Sequence, residues 1–347
     1  MTFENRSQVN LEPLSCLRAE YLYNDCRLCL DACPQDALSL DRRSRVELES
    51  KQCIDCGVCI GVCPSEVFQS ETFDPNAYVI KKGYDGEIKL SCKEISACLK
   101  VFNEEHLLSL RLRGNSVVCD MSECQDCPIN TQGHIQADIE QNINQANIFL
   151  EHFGFEPIQN EYTKKELDRR GAIAKIFKET KGAFTDEPPL LHKEKNIPQY
   201  RAIFQNSLKY AIDKMEDHSM IDFKLSNISH KQIAYESCDN CGECVQFCPT
   251  KALTYSSDET KILFAPLHCI SCGICNDICK PNAIHETKEL DIVFLAFDRA
   301  EILIEHTFAT CSECRVSFPQ KKDEKVCARC SSFVLENSDL FKLEKDM

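Results

Sequence analysis

Cysteines are the residues of this chain whose number and spacing could do chemistry. The 347 residues contain 25 of them, in four groups separated by ordinary sequence, and residues 128–237 contain none. Thiolates spaced by two or three residues are typical ligands of iron or zinc in a reducing compartment, whereas in an oxidising one cysteines form disulfides. The choice between these chemistries depends on where the protein resides.

Composition and charge favour the reducing alternative. The N-terminal sequence has no basic segment followed by an apolar core and no twin-arginine motif, so we expect a cytoplasmic protein. The longest apolar run, residues 291–297, has the length of a strand, and no transmembrane segment is expected. A formal net charge of −15 argues against nucleic-acid partners. Metal coordination is therefore the predicted chemistry.

The third cysteine group contains one pattern twice. Each half has three cysteines spaced by two residues and a fourth three residues later, with a proline next to it or one residue beyond. Three such thiolates can wrap one iron–sulfur cubane, while the fourth begins a helical turn that points to the other cubane. Gly242 and Gly273 stand where the backbone must turn tightly. Segments after the fourth cysteines, such as residues 252–255, are predicted hairpin strands around a turn at 256–260. One predicted ligand set is Cys238, Cys241, Cys244 and Cys279, and the other is Cys248, Cys269, Cys272 and Cys275.

The first group has the same pattern with one ligand missing. One set is complete: Cys33, Cys53, Cys56 and Cys59. The other set retains Cys26, Cys29 and Cys63. Tyr23 stands at the position of its first ligand and Arg27 at that of its turn glycine. Cys16 can supply the fourth thiolate, because the ten residues to the next cysteine span up to about 33 Å when extended. The alternatives are a three-iron or non-cysteine-ligated cluster, and no cluster at this position.

These motifs resemble bacterial-type two-cluster [4Fe-4S] ferredoxins in tandem, and ferredoxin-like subunits of anaerobic redox complexes. The resemblance covers about a third of the chain. It implies one-electron transfer through four [4Fe-4S] clusters and a pseudo-twofold α+β fold for each unit. It also implies redox protein partners, such as complexes of the formate dehydrogenase, hydrogenase or heterodisulfide reductase type.

The second cysteine group lies in a predicted strand–helix–strand unit. Residues 87–91 and 116–121 are predicted strands, and Asn103 can cap the helix between them, which Gly114 would end. Because parallel strands end on one side of the sheet, four cysteines are expected to converge there while Cys119 points away. The four are Cys92, Cys98, Cys124 and Cys127. This unit weakly resembles the small iron–sulfur delta subunit of hydrogenases that partner heterodisulfide reductases. A fifth iron–sulfur cluster, a zinc ion and free buried thiols remain the alternatives.

The last group consists of two C-x2-C knuckles separated by 12 residues, close to zinc-ribbon spacing. Its members are Cys311, Cys314, Cys327 and Cys330. Four thiolates on two hairpin tips predict a closed, structural zinc site. The alternatives are another cluster and rubredoxin-like iron, although rubredoxin knuckles carry a glycine where Arg315 and Ser331 stand here.

The groups predict an α+β chain of five parts. The parts are a first ferredoxin-type domain at 1–80, a small Cys-rich module at 81–130, a helical linker region at 131–230, a second ferredoxin-type domain at 231–290 and a zinc-ribbon-like module at 291–347. Within the linker region we predict a helix over 135–153, a basic run at 164–181, a proline-containing linker at 185–198 and an apolar helical stripe from Tyr200 to Met215.

No dinucleotide, P-loop, zinc-protease or haem-attachment motif occurs in the sequence. The leading hypothesis is therefore an iron–sulfur electron-transfer protein or subunit with no catalytic residue of its own. One alternative is a reductase whose incompletely ligated cluster near Tyr23 binds substrate. Another is a regulatory or interaction protein that uses its metal-stapled ribbon as a binding module.

Overall fold

The computed structural model describes residues 8–163, 197–215, 221–222, 225–287 and 289–337. The predicted basic run at 164–181 and most of the predicted linker at 185–198 lie outside these residues. Within the described part of the chain, no helix is both long and apolar enough to cross a membrane. The architecture is α+β, as predicted.

The first cysteine-rich unit is built from two similar halves. Short helices follow the two cysteine loops, at Leu28–Asp31 and Val58–Val62. Antiparallel pairs join Val9–Leu11 to Phe68–Ser70 and Leu38–Leu40 to Val46–Leu48. A 3-10 turn at Pro13–Ser15 and a helix at Leu17–Glu20 precede the first loop.

A three-stranded parallel sheet forms the middle of the molecule. Its strands are Glu87–Ser91, Ser116–Asp120 and Gln159–Glu161. The first two confirm the predicted strands, and the third was not predicted. The helices around the sheet are Pro75–Lys81, Cys92–Ile95, Glu104–Leu112 and His134–His152. Asn103 caps the third of these, as predicted: its Oδ1 accepts the N–H of His106 at 3.0 Å.

The helix Gln199–Ala211 lies at the centre of the core. The predicted apolar stripe is confirmed, because Tyr200, Phe204 and Leu208 are all buried. The Glu66 carboxylate of the first unit accepts the backbone N–H of Gln199 at 2.6 Å, which satisfies a free amide at the helix start. Both described helices of the region expected to be a linker pack in the same core as the Cys-rich module. That region is therefore a structural centre and not only a spacer.

The second cysteine-rich unit has the same layout as the first. Its short helices are Glu243–Gln246 and Ile274–Ile278. The predicted hairpin forms between Leu253–Tyr255 and Lys261–Phe264, and Glu301–Glu305 extends it to three strands. His230–Ile233 pairs with Ile284–Thr287, and Ile221–Asp222 pairs with Glu289–Leu290.

The C-terminal segment differs from expectation at its start. The apolar run given the length of a strand is a helix, Ile292–Phe297. Asp291 caps it, accepting the N–H of Val293 at 2.8 Å, and its apolar face is buried in the central core. The ribbon itself consists of the hairpin Phe308–Thr310 with Ser317–Pro319, followed by the helix Ala328–Glu336. Further 3-10 turns occur at Leu99–Val101, Cys124–Asp126, Thr131–Gly133, Ile212–Lys214 and Pro266–His268.

Candidate iron–sulfur and metal sites

Four cavities of almost equal size lie in the two cysteine-rich units, and each is lined by four cysteines. The first unit contains site A, with Cys16, Cys26, Cys29 and Cys63, and site B, with Cys33, Cys53, Cys56 and Cys59. The second unit contains site C, with Cys238, Cys241, Cys244 and Cys279, and site D, with Cys248, Cys269, Cys272 and Cys275. The structure thus brings together the same four sets that the spacing predicts.

Site A contains the irregular ligand set. Cys16 ends the 3-10 turn before the first loop and lines the cavity beside the other three cysteines. Tyr23, at the position of the missing ligand, is 83% exposed and packs edge-on against Tyr21. The loop therefore takes another path here: Arg27 has φ −130°, whereas the matching Gly57 has φ +77°. A fourth thiol thus reaches site A from a segment outside the repeated motif.

Gly242, a turn glycine of the second unit, shows why the position that Arg27 has in the first unit normally requires glycine. Gly242 has φ +75°, in the left-handed region, where residues with a Cβ are strained. A Cβ on Gly242 would also lie 2.7 Å from Tyr255 Oη, on the hairpin that covers site C. Glycine therefore lets the cysteine loop lie directly against the hairpin.

Backbone amides point at the sulfurs of the fourth cysteines. The N–H of Ala37 donates to Cys33 Sγ at 3.3 Å, and that of Ala283 donates to Cys279 Sγ at 3.2 Å. Such donors stabilise thiolate sulfur, whereas burial, together with repulsion from the neighbouring site A thiols, raises the pKa of Cys29 to about 12. A buried set of four thiols, apolar walls and directed amides fits a [4Fe-4S] cluster, whose iron would keep the sulfurs deprotonated.

Buried cations lie beside two of the sites. The Lys231 side chain lines site D and is almost fully buried; its Nζ donates to Asn276 Oδ1 at 3.0 Å and to Glu286 Oε1 at 2.7 Å. Near site A, Arg18 Nε donates to the backbone oxygen of Cys26 at 2.7 Å. These charges oppose the negative charge of a thiolate-ligated cluster and make its reduction more favourable.

The two cysteine-rich units touch at sites A and D. Asn24 is buried in the first unit, and its Nδ2 donates to the backbone oxygen of Cys272 at 3.3 Å. The rings of Tyr21 and Phe247 meet edge-to-face, with centroids 6.1 Å apart. Cys26 and Cys272 pack against the same small apolar cluster. Sites A and D are therefore neighbours although their cysteines are more than 180 residues apart in the chain.

The C-terminal knuckles form a tighter site. The sulfurs of Cys311, Cys314, Cys327 and Cys330 all lie within 4.8 Å of one another. The N–H of Cys327 donates to Cys311 Sγ at 3.3 Å, and such amide donors lower the pKa of Cys311 to about 6. This spacing fits a single tetrahedral ion. Lys321 Nζ donates to the backbone oxygen of Glu236 at 2.7 Å, which holds the ribbon beside the second unit.

The middle module contacts the first unit through one of its cysteines. Cys98 donates its backbone N–H to the oxygen of Cys56, a site B residue, at 2.9 Å. Burial raises the pKa of Cys98 to about 12, and the nearby Cys124 and Cys127 thiols add to this rise. Cys127 contributes in the same way to the raised pKa of Cys92 and of Cys124. Cys119 is buried in the main core and, as predicted, stands apart from this set.

One buried ion pair was not predicted. Arg201 on the central helix is fully buried and forms a two-pronged ion pair with Glu105, in which Nη2 donates to Oε1 at 3.0 Å. Its Nη1 donates to the backbone oxygens of Leu267 and Cys269, both at 2.8 Å. Arg201 thus connects the middle module to the backbone of site D. The only sequence signal was an arginine next to the first aromatic residue of an otherwise apolar stripe.

Comparison with known proteins agrees with the geometry of the two units. Residues 24–67 match one family described as a 4Fe-4S dicluster domain, and residues 230–280 match a second family with the same description. A 39-residue segment is 46% identical to the uncharacterized ferredoxin-like protein YdhX of Escherichia coli strain K12, and equally to YdhX of strain O157:H7. Each match spans 11% of this chain and 18% of the relative.

Proposed function

The chain contains two 4Fe-4S dicluster ferredoxin domains, and from this premise we propose that it relays single electrons through a row of four clusters within a larger redox complex. A bound [4Fe-4S] cluster takes up and releases one electron at a time. The residues of this chain bind the clusters, exclude water from them and set the charge around them. No side chain is required as a general acid or base.

The contact between sites A and D is the observation that carries this proposal. Within each unit the two sites are joined, because the fourth cysteine of each loop serves the other site. The Asn24 bond to Cys272 then connects the two units. The resulting order is B, A, D, C, so an electron entering at one end crosses both domains. Two independent ferredoxins on one chain would not need this contact.

The geometry of site A bears on the reductase alternative. That alternative needs an iron without a cysteine ligand, open to substrate. Cys16 lines the cavity with the three other cysteines, while Tyr23 is turned out to solvent. Site A therefore favours a fully cysteine-ligated cluster and a relay.

Partners and location follow from the relay. We propose that the chain is cytoplasmic and exchanges electrons with redox proteins, for example in a complex of the formate dehydrogenase, hydrogenase or heterodisulfide reductase type. We also propose a structural zinc ion in the ribbon, because its four sulfurs leave no coordination position for a substrate.

Metal content and electron uptake test the relay. Sites A to D and the ribbon together should contain about 16 iron, as much sulfide, and one zinc per chain after anaerobic purification. Anaerobic titration with a one-electron reductant should add four electrons per chain at these sites, one for each cluster. The EPR spectrum of the reduced protein should show magnetic interaction between neighbouring clusters. Fewer than four clusters after anaerobic reconstitution would contradict a row of four, and fewer than two would contradict any relay.

A second test interrupts the row. In a Cys29→Ala variant, which removes a site A ligand, electrons delivered in substoichiometric amount should redistribute between sites B and D more slowly than in the parent protein. Rapid-freeze EPR on dilute samples measures this rate. Redistribution at the parental rate, with site A shown to be lost, would mean that the row is not the path.

Cys16 and Tyr23 allow a matched comparison at site A. Cys16→Ala should lower iron and sulfide by about four per chain or leave a three-iron cluster, because the fourth thiolate is removed. Tyr23→Ala should leave both unchanged, because its side chain is exposed. Metal analysis and EPR of the two variants check this. Full iron in Cys16→Ala together with iron loss in Tyr23→Ala would reverse the assignment.

A further inference from the structure

We propose that Cys92, Cys98, Cys124 and Cys127 hold a fifth iron–sulfur cluster, site E, at the end of the row beyond site B. The dicluster domain matches do not include these residues. The existence of site E is independent of the relay, whereas its role as a terminal station depends on the proposed function.

The fold brings the four cysteines of site E together. Cys92 directly follows the strand Glu87–Ser91, and Cys124 begins a 3-10 turn shortly after the parallel neighbour Ser116–Asp120. The flanking residues Lys93 and Glu123 form an ion pair with Nζ and Oε1 2.8 Å apart. Both strand ends therefore deliver thiols to one place, as parallel topology requires.

The spacing of the sulfurs separates a cluster from a zinc ion. Four thiolates around one zinc, at about 2.3 Å from the metal, lie roughly 3.8 Å apart, and the ribbon sulfurs approach this. Within the part of the chain that the structure describes, the ribbon is the only set of three or more ligands as close as 4.8 Å. The cysteines of site E, like those of sites A to D, do not form such a set. In this respect site E resembles the four ferredoxin-type sites and not the ribbon.

Lys100 places a cation beside site E. Its side chain is 7% exposed, and its Nζ donates to the backbone oxygen of Asp138 at 3.2 Å. The carboxylate of Asp138 is more distant, at 3.8 Å, and half exposed. The carboxylates of Asp138 and Glu104 act on this ammonium group, and a negatively charged cluster at Cys98 would add to their charge compensation.

Site E directly adjoins site B. The backbone bond from Cys98 to Cys56 joins their ligand loops at 2.9 Å. Gly61, on the short helix that follows the site B loop, packs against the carbonyl oxygen of Lys100 so closely that any Cβ would overlap it. This glycine lets the two backbones touch. Sites B and E are thus joined by a hydrogen bond to the backbone of a site cysteine, as sites A and D are.

Matched cysteine variants test site E. Cys127→Ala removes a ligand that lies away from site B, and Cys119→Ala removes a buried thiol of the same module that is not a ligand. We expect Cys127→Ala to lose two or four iron per chain with equal sulfide, depending on cluster type, and to keep its zinc. Cys119→Ala should keep its full iron, sulfide and zinc. The reduced Cys127→Ala protein should also show less magnetic broadening of the site B signal.

Other outcomes would overturn the proposal. Loss of one zinc with iron unchanged in Cys127→Ala assigns a zinc site to these residues. Unchanged iron and zinc assign free thiols. If sites A to D fail to bind clusters, the iron content of the parent protein shows this directly, whereas the difference between the two variants still reports on site E. Equal iron loss in both variants would trace the effect to a disturbed module and also count against a specific ligand role.

Discussion

Replacement of Glu105 by alanine should lower the free energy of unfolding by about 3–5 kcal/mol. Arg201 is fully buried, and its guanidinium would keep its charge without a counter-ion. The loss would also affect site D, because the same guanidinium donates to the backbone oxygens of Leu267 and Cys269. We therefore expect earlier loss of iron from the second unit as well as lower stability.

Anaerobic denaturant unfolding, followed by far-UV circular dichroism and cluster absorbance, measures both effects. Glu151→Ala is the matched control, because this glutamate lies exposed near the end of the helix His134–His152 and should change stability by less than about 0.5 kcal/mol. The loss of stability in Glu105→Gln should lie between those in Glu105→Ala and Glu151→Ala, since glutamine keeps a hydrogen-bond acceptor and removes the charge. A change below about 1 kcal/mol in Glu105→Ala would mean that the surrounding carbonyls alone compensate Arg201.

Lys231→Met is expected to lower the reduction potential of the site D cluster by roughly 100 mV. Lys231 lines the cavity and interacts electrostatically with Cys275 and Cys269. A unit charge about 7 Å away in a medium of effective dielectric constant about 20 is worth ~2.4 kcal/mol, which corresponds to roughly 100 mV for one electron. Removal of the cation disfavours the added electron, so the potential must fall.

A redox titration monitored by EPR measures this shift. Lys231→Arg keeps the charge and should leave the potential within about 30 mV of the parent value. Lys261→Met, in the same unit but on a partly exposed side chain paired with Glu305, is the control for loss of a distant charge. Equal shifts in Lys231→Met and Lys261→Met would show that net charge matters and not the position of Lys231.

The four sites differ in how much of their cysteine arrangement could be predicted from the sequence. The cysteine sets of sites B, C and D could be predicted from spacing, because three cysteines of each set lie on one loop of a few residues and local geometry brings them together. The cap at Asn103 and the hairpin after Ala252 are equally local. Cys16 lies outside the loop, so the sequence could offer it only as one of several alternatives for the fourth ligand of site A.

Only the tertiary structure decided the features that depend on long-range contact. The bond from Asn24 to Cys272 joins residues 248 positions apart, and Arg201 reaches Glu105 across 96. Residues 292–297 were expected to be a strand by their length and are a helix, because Asp291 caps them and the central core buries one face. Spacing predicts which cysteines of one loop lie together, since they are neighbours along the chain. The order of the sites depends on which surfaces bury each other, and no local pattern in the sequence encodes that.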